Sequence, residues 1–191
     1  MKNPPPHNFE NRSLPLRDPR SFAFMNMIGM ITLYRKEVLR FLNVSVQTIL
    51  APVVTSFLFL IIFTLALGRA VQEVHGVGFS DFLAPGLIIM TMAQNAFANT
   101  SSSLIISKTQ GNIVDVLMPP VSAGEFLVAY TMAAITRGML VGLAITLAML
   151  VLIDLHVVNL FLVIIFGLLG SLMLGLLGLI GGIWAEKFDH I

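Results

Sequence analysis

The side chains in this chain that could do chemistry are few, and most of them sit in one short stretch. Thr91, Gln94, Asn95, Asn99, Ser101 and Ser102 fall within about 160° of one helical face at about 100° per residue. Amides and hydroxyls at such spacing hold their targets by hydrogen bonds; without an ionisable partner they neither attack a bond nor move a proton. A stripe of this kind cannot face lipid comfortably. Two uses fit it: hydrogen bonding between helices inside a bundle, or one polar wall of a permeation pathway, with Gln94, Asn95, Asn99 and Ser102 as its lining. Arg137 is the only cation well inside an apolar stretch. It lies on a helix longer than a bilayer core and is expected to reach headgroups by snorkelling, with a substrate or partner contact as the other reading.

The rest of the inventory excludes more than it offers. Asp81, Glu125 and Asp154 stand at the ends of apolar segments, so no mid-bilayer carboxylate is available for proton coupling. His7, His75, His156 and His190 lie in tails or loops without ligand spacing, and no metal site is expected. There is no phosphate-binding glycine loop and no cysteine. A net charge of +1 provides no basic face for nucleic acid. Hydrophobic residues make up 57% of the 191, charged residues 11%, and the mean hydropathy is +0.91. Soluble domains have about 45–50% apolar and roughly 25% charged residues. This composition excludes an ordinary globular enzyme and leaves an integral membrane protein.

The elements that must position these residues follow from length. About 20 apolar residues cross about 30 Å of hydrocarbon, and four segments qualify: 44–67, 82–106, 126–153 and 160–184. Seven cations precede the first: Lys2, Arg12, Arg17, Arg20, Arg35, Lys36 and Arg40. By the positive-inside rule, both termini and the 107–125 loop face the cytoplasm. Residues 1–21, rich in proline and arginine, read as a disordered cytoplasmic tail without the apolar region of a signal peptide. Residues 22–42 mix Met25, Met27, Ile28, Ile31, Tyr34, Val38 and Phe41 with Arg35, Lys36, Glu37 and Arg40. Lys36, Glu37 and Arg40 share one helical face, the pattern of a helix lying in the membrane interface; a cytoplasmic extension of the first span is the alternative.

The fourth span carries Gly167, Gly170, Ser171, Gly175, Gly178, Gly181 and Gly182 within about 140° of arc. Small residues at this spacing admit a second helix closely, and Gly167, Ser171, Gly175, Gly178 and Gly182 are assigned to packing. Pro52 and Pro85 are read as kinks.

The loop 107–125 is the most informative segment. Gly111-Asn112 reads as a turn in which Asn112 can cap a short helix over Ile113–Met118; Pro119 and Pro120 stop it, and Ser122 with Glu125 opens the third span as a capping box. A short exposed helix with Ile113, Val114, Asp115 and Leu117 is either a docking element or an ordinary interfacial turn.

This loop resembles the signature of the type-2 ABC (ABC-2) exporter permeases through Gly111, Asp115, Leu117, Pro119 or Pro120, Ser122 and Glu125. Arg35-Lys36-Glu37, Leu50-Ala51-Pro52 and Phe82-Leu83-Ala84-Pro85-Gly86 match as well, and the likeness runs over 22–191. The resemblance implies an all-α polytopic bundle with an N-terminal interfacial helix, the ABC-2 transmembrane domain. It further implies a permease subunit of the bacterial inner membrane, pairing with a second permease copy (homodimer or heterodimer) and a separate ABC ATPase. ATP and magnesium would sit on that ATPase, and no cofactor on this chain. The 111–118 helix would carry coupling. Such permeases usually have six spans, with the path at the dimer interface, so a four-span chain reads as truncated. A passive four-helix scaffold is the rival function.

With both termini inside, Ser80→Cys is expected to react with an impermeant thiol reagent on intact cells and Ser13→Cys to stay unlabelled. The reverse pattern would invert the topology.

Overall fold

The computed structural model describes residues 26–68, 71, 73–74, 76–151, 153, 159–187 and 189. The expected tail over 1–21 and all four histidines lie outside them.

Three of the helices, α1, α5 and α6, begin where a side chain takes up orphan N–H groups. Helix α1, Met27–Leu42, starts at Asn26, whose Oδ1 accepts from Gly29 N at 2.9 Å. After Asn43 the chain passes through one π-helical turn, Val46–Leu50, into α2, Ala51–Leu67. Pro52 has no N–H to give the carbonyl four residues back, and the widened turn sits immediately before it. A small antiparallel hairpin follows, β1 Glu73–Val74 against β2 Val77–Gly78. The all-helical reading did not include it; Gly76 at φ 78° supplies its turn.

Helix α3, Phe79–Thr109, has 31 residues and a length of about 46 Å. Helix α4, Ile113–Leu117, follows a turn at Gly111, whose φ is 75°. The sequence expected Asn112 to cap α4, but its amide instead donates to Gln110 Oε1 at 3.5 Å. Helix α5, Ala123–Met149, opens with the capping box: Ser122 N donates to Glu125 Oε2 at 2.8 Å and Glu125 N to Ser122 Oγ at 3.3 Å. Helix α6, Leu160–Trp184, is capped by Asn159, which accepts from Phe161 N and Leu162 N.

The protein is an all-α polytopic bundle. Three of its helical segments are long and apolar enough to cross a membrane: Val46–Leu67, Ala123–Met149 and Leu160–Trp184. The remaining expected span, 82–106, corresponds to α3, which has the length but carries the amides and hydroxyls that lower its hydropathy. Helix α3 is accordingly the most covered, packing most extensively on α6 and next on α5. Two apolar cores result. One joins Leu60, Ala84, Ile88, Met92, Val141, Ile145 and Met149; the other joins Leu33, Leu104, Val116, Ala129, Tyr130 and Leu179. Asn95, Asn99 and Arg137 come between them along α3 and α5.

The small-residue face of α6 is its buried face, with Gly167, Ser171, Gly175, Gly178 and Gly182 all buried. The closest approach is at Gly178, where a Cβ would stand 2.4 Å from Phe97 O and 2.5 Å from Thr100 Oγ1. Thr100 Oγ1 also donates to Gly175 O at 2.8 Å, a hydrogen bond across the α3–α6 seam. A Cβ at Gly182 would meet Ser101 Cα at 3.1 Å, whereas at Gly170 it would meet nothing. Ser171 packs instead toward Gly138 of α5, where an added Cβ would lie 2.7 Å from its Oγ.

Gly178→Ala is therefore expected to cost about 1–3 kcal/mol through overpacking against backbone, read as an earlier thermal midpoint in detergent. Gly170→Ala should leave that midpoint unchanged.

Candidate functional site: a groove floored by two arginines

A cavity of about 870 Å³ opens between the first span and α3. One wall comes from the π turn and α2, with Gln47, Thr48, Thr55, Ser56, Phe59 and Phe63. The other comes from α3, with Leu87, Met90, Thr91, Gln94, Asn95 and Ser102. Arg40 of α1 and Arg137 of α5 complete its lining.

The polar stripe of α3 thus divides. Thr91, Gln94, Asn95 and Ser102 line the groove, while Asn99 and Ser101 are buried away from it. Most of the hydroxyls are satisfied within their own helix: Thr91 donates to Leu87 O at 2.7 Å, Ser101 to Phe97 O at 2.9 Å, and Ser102 to Ala98 O. Such back-bonding lets a hydroxyl enter an apolar bundle without a partner helix. Ser56 meets Thr91 across the groove at 3.0 Å. The bonds between helices fall mainly to the amides. Arg40 Nη2 donates to both Asn99 O (2.9 Å) and Asn99 Oδ1 (3.0 Å), and Arg137 Nη2 to Asn95 Oδ1 at 3.2 Å.

Two expectations about the charges need correcting. The spacing puts Lys36, Glu37 and Arg40 on one polar face of an interfacial helix. Lys36 and Arg35 are exposed, but Glu37 is 0% exposed and pairs with Arg40 at 3.1 Å. That polar face of α1 turns partly into the bundle, and Met27, Ile28, Ile31 and Leu39 are the residues left exposed. The cause lies opposite, where the buried Asn99 offers its Oδ1 and its carbonyl to a donor from another helix. The second correction concerns Arg137, which does not snorkel along α5. Its guanidinium crosses to α3, its Nε is buried without a partner, and it has no carboxylate among the described residues.

At the other core, α4 is pinned by one side chain. Val116 is buried and Ile113 partly so, whereas Val114, Asp115, Leu117 and Met118 are exposed. Pro119 and Pro120 follow at the surface. Glu125 does more than cap its own helix, since Oε1 also accepts from Asn26 N. Asn26 Nδ2 in turn donates to Pro120 O at 3.1 Å. The start of α1, the two-proline corner and the start of α5 are joined through these two residues. Asn26, Arg40 as a groove residue, Gln47 and Thr55 were not singled out from the sequence. Asn26 alone had a local signal there, a cap residue three positions before Gly29.

Fold and site together define a polytopic helical membrane protein with a polar, cation-bearing groove. The family model for the ABC-2 type transporter matches residues 29–191, and the chain belongs to that family. Among curated proteins it is similar to the inner membrane transport permease YadH of Escherichia coli strain K12, at 33% identity over 164 residues. The alignment covers 86% of this chain and 64% of that relative. The same permease from Shigella flexneri is matched to the same extent. No solved structure matches the chain.

The Arg40–Glu37 pair makes a direct prediction. Arg40→Ala leaves Glu37 buried and unpaired and is expected to cost about 3 kcal/mol, the low end for breaking a buried pair, because Arg40 is itself 27% exposed. Removing both charges as Glu37→Leu with Arg40→Leu should restore part of the thermal midpoint, which a double-mutant cycle in detergent would measure.

Proposed function

We propose that this chain works as the membrane-spanning permease component of an ATP-binding-cassette exporter in the bacterial inner membrane. Energy would come from a separate ABC ATPase that holds ATP and magnesium, and a second permease copy, identical or not, would complete the assembly in the lipid. What supports this is membership of the ABC-2 family and likeness over 86% of the chain to a protein named an inner membrane transport permease. The groove lined by Gln94, Asn95 and Ser102 is the part of the path this chain would contribute. Asn99 would act from beneath it by holding Arg40.

The observation that carries the coupling reading is the geometry of α4. One buried anchor, Val116, leaves an outward face of Val114, Asp115, Leu117 and Met118, with two of these at 67% and 76% exposure. A turn that merely joined two spans would have no use for such an apolar face. Movement imposed there has a mechanical route inward, because Pro120, Asn26 and Glu125 link the loop to both α1 and α5. Gly111, with its positive φ, and the Ser122–Glu125 box set the two ends of the loop. Asp115 adds a charge that would select among partners more than it strengthens any one of them.

Asp115→Lys with Leu117→Ala is expected to abolish co-purification with the cognate ATPase while membrane insertion is kept. Retention of the ATPase at the parent's level would make the loop a simple turn and remove the physical support for coupling.

A further inference from the structure

We infer that the groove between α2 and α3 is a binding site for an anionic lipid-like amphiphile, whose headgroup is held by Arg137 and whose tail lies against α2. This deepens the reading of the groove as part of a path and rests on it for any consequence in transport; the binding itself stands on the geometry below.

Charge is the first argument. Among the described residues the groove contains two guanidiniums and no carboxylate of its own. Arg40 already has its counter-charge in Glu37 behind it, and its Nη2 is held by two oxygens of Asn99. Arg137 is different, with one hydrogen bond, to the neutral Asn95 amide, and a buried Nε that has no partner. Its position is 14 residues beyond Ala123, where the helix opens, about 21 Å along the axis. An uncompensated cation at such depth is costly, and a planar guanidinium with free donors is built to take a carboxylate or phosphate. Two apolar cores flank it along the bundle, so the compensating anion must arrive through the groove.

Shape is the second argument. Beyond the polar floor the groove is lined by Pro52, Phe59, Phe63, Leu87 and Met90. Phe59 and Phe63 stack at 6.0 Å between ring centroids, which gives an extended apolar surface one helical turn apart along α2. A small soluble anion would satisfy Arg137 and leave that surface bare. An amphiphile meets both, with its head at Arg137, Asn95 and Gln94 and its chain along the phenylalanines.

The chain contains no cysteine, so Thr55→Cys places a single bimane fluorophore in the groove wall. The labelled protein is reconstituted into phosphatidylcholine nanodiscs that contain increasing fractions of tail-brominated phosphatidylglycerol or tail-brominated phosphatidylcholine. Quenching by the anionic lipid is expected at about a tenfold lower fraction, the worth of one charge-assisted contact. Arg137→Lys should keep the preference and Arg137→Gln should erase it. Gln94→Glu, which supplies an internal anion in the lining of the same groove, should erase it too and carries the test if Arg137→Gln does not reconstitute. Equal quenching by the two lipids in the parent would overturn the inference, as would a preference that survives the charge-removing variants. Displacement of the anionic lipid by inorganic phosphate at matched ionic strength would assign the site to a free anion and overturn the lipid assignment. Co-purification with the ATPase reads α4 and not the groove, so loss of either result leaves the other interpretable.

Discussion

An apolar chain that places three amides and five hydroxyls between Thr91 and Ser103 must hide them, and the rest of the architecture answers that constraint. A bilayer gives no hydrogen bonds, so every such group has to find a partner within the protein or line a polar space. Helix α3 therefore lies between α2, α5 and α6, although α2 and α6 are the more hydrophobic helices. The glycine face of α6 lets that cover come close: at Gly178 even a methyl group would collide with the α3 backbone. Thr100 then uses the short distance to reach Gly175 O.

The same constraint places the charges. Asn99 and Asn95 are acceptors on a helix that cannot satisfy them, and each draws an arginine from a different element. Arg40 brings Glu37 with it, so a helix whose charges could have faced headgroups is instead fastened to the bundle by a buried pair. Arg137 brings no carboxylate. The polar layer between the two apolar cores thus ends with a cation that opens on the groove. One layer of contacts therefore holds two differently compensated cations, Arg40 with a carboxylate and Arg137 with a neutral amide.

The loop between α3 and α5 obeys a different rule, in which single side chains near the surface serve two hydrogen-bonding demands each. Asn26 and Glu125 each satisfy two demands. Asn26 caps α1 and bonds Pro120 O; Glu125 caps α5 and accepts from Asn26 N. Two short side chains thereby fuse the beginnings of two helices to the proline corner that aims α4. A displacement of α4 is met by α1 and α5 together, and those are the helices whose arginines line the groove.

Much of this was legible along the chain. The excess of apolar residues dictates a membrane bundle; runs of about 20 apolar residues set its helices. Ser122 with Glu125 and the Gly111 turn mark the loop, and the loop marks the family. The glycine face of α6 follows from periodicity alone. What could not be read is which way the polar faces turn. Spacing gives the angle of a side chain about its own helix axis but not what stands across from it. Arg40 meets Asn99 over 59 residues of sequence, Arg137 meets Asn95 over 42, and Asn26 meets Glu125 over 99. Only the tertiary structure brings those pairs together, and for that reason Glu37 proved buried, Arg137 proved inward-facing, and the α3 stripe divided into a lining half and a packing half.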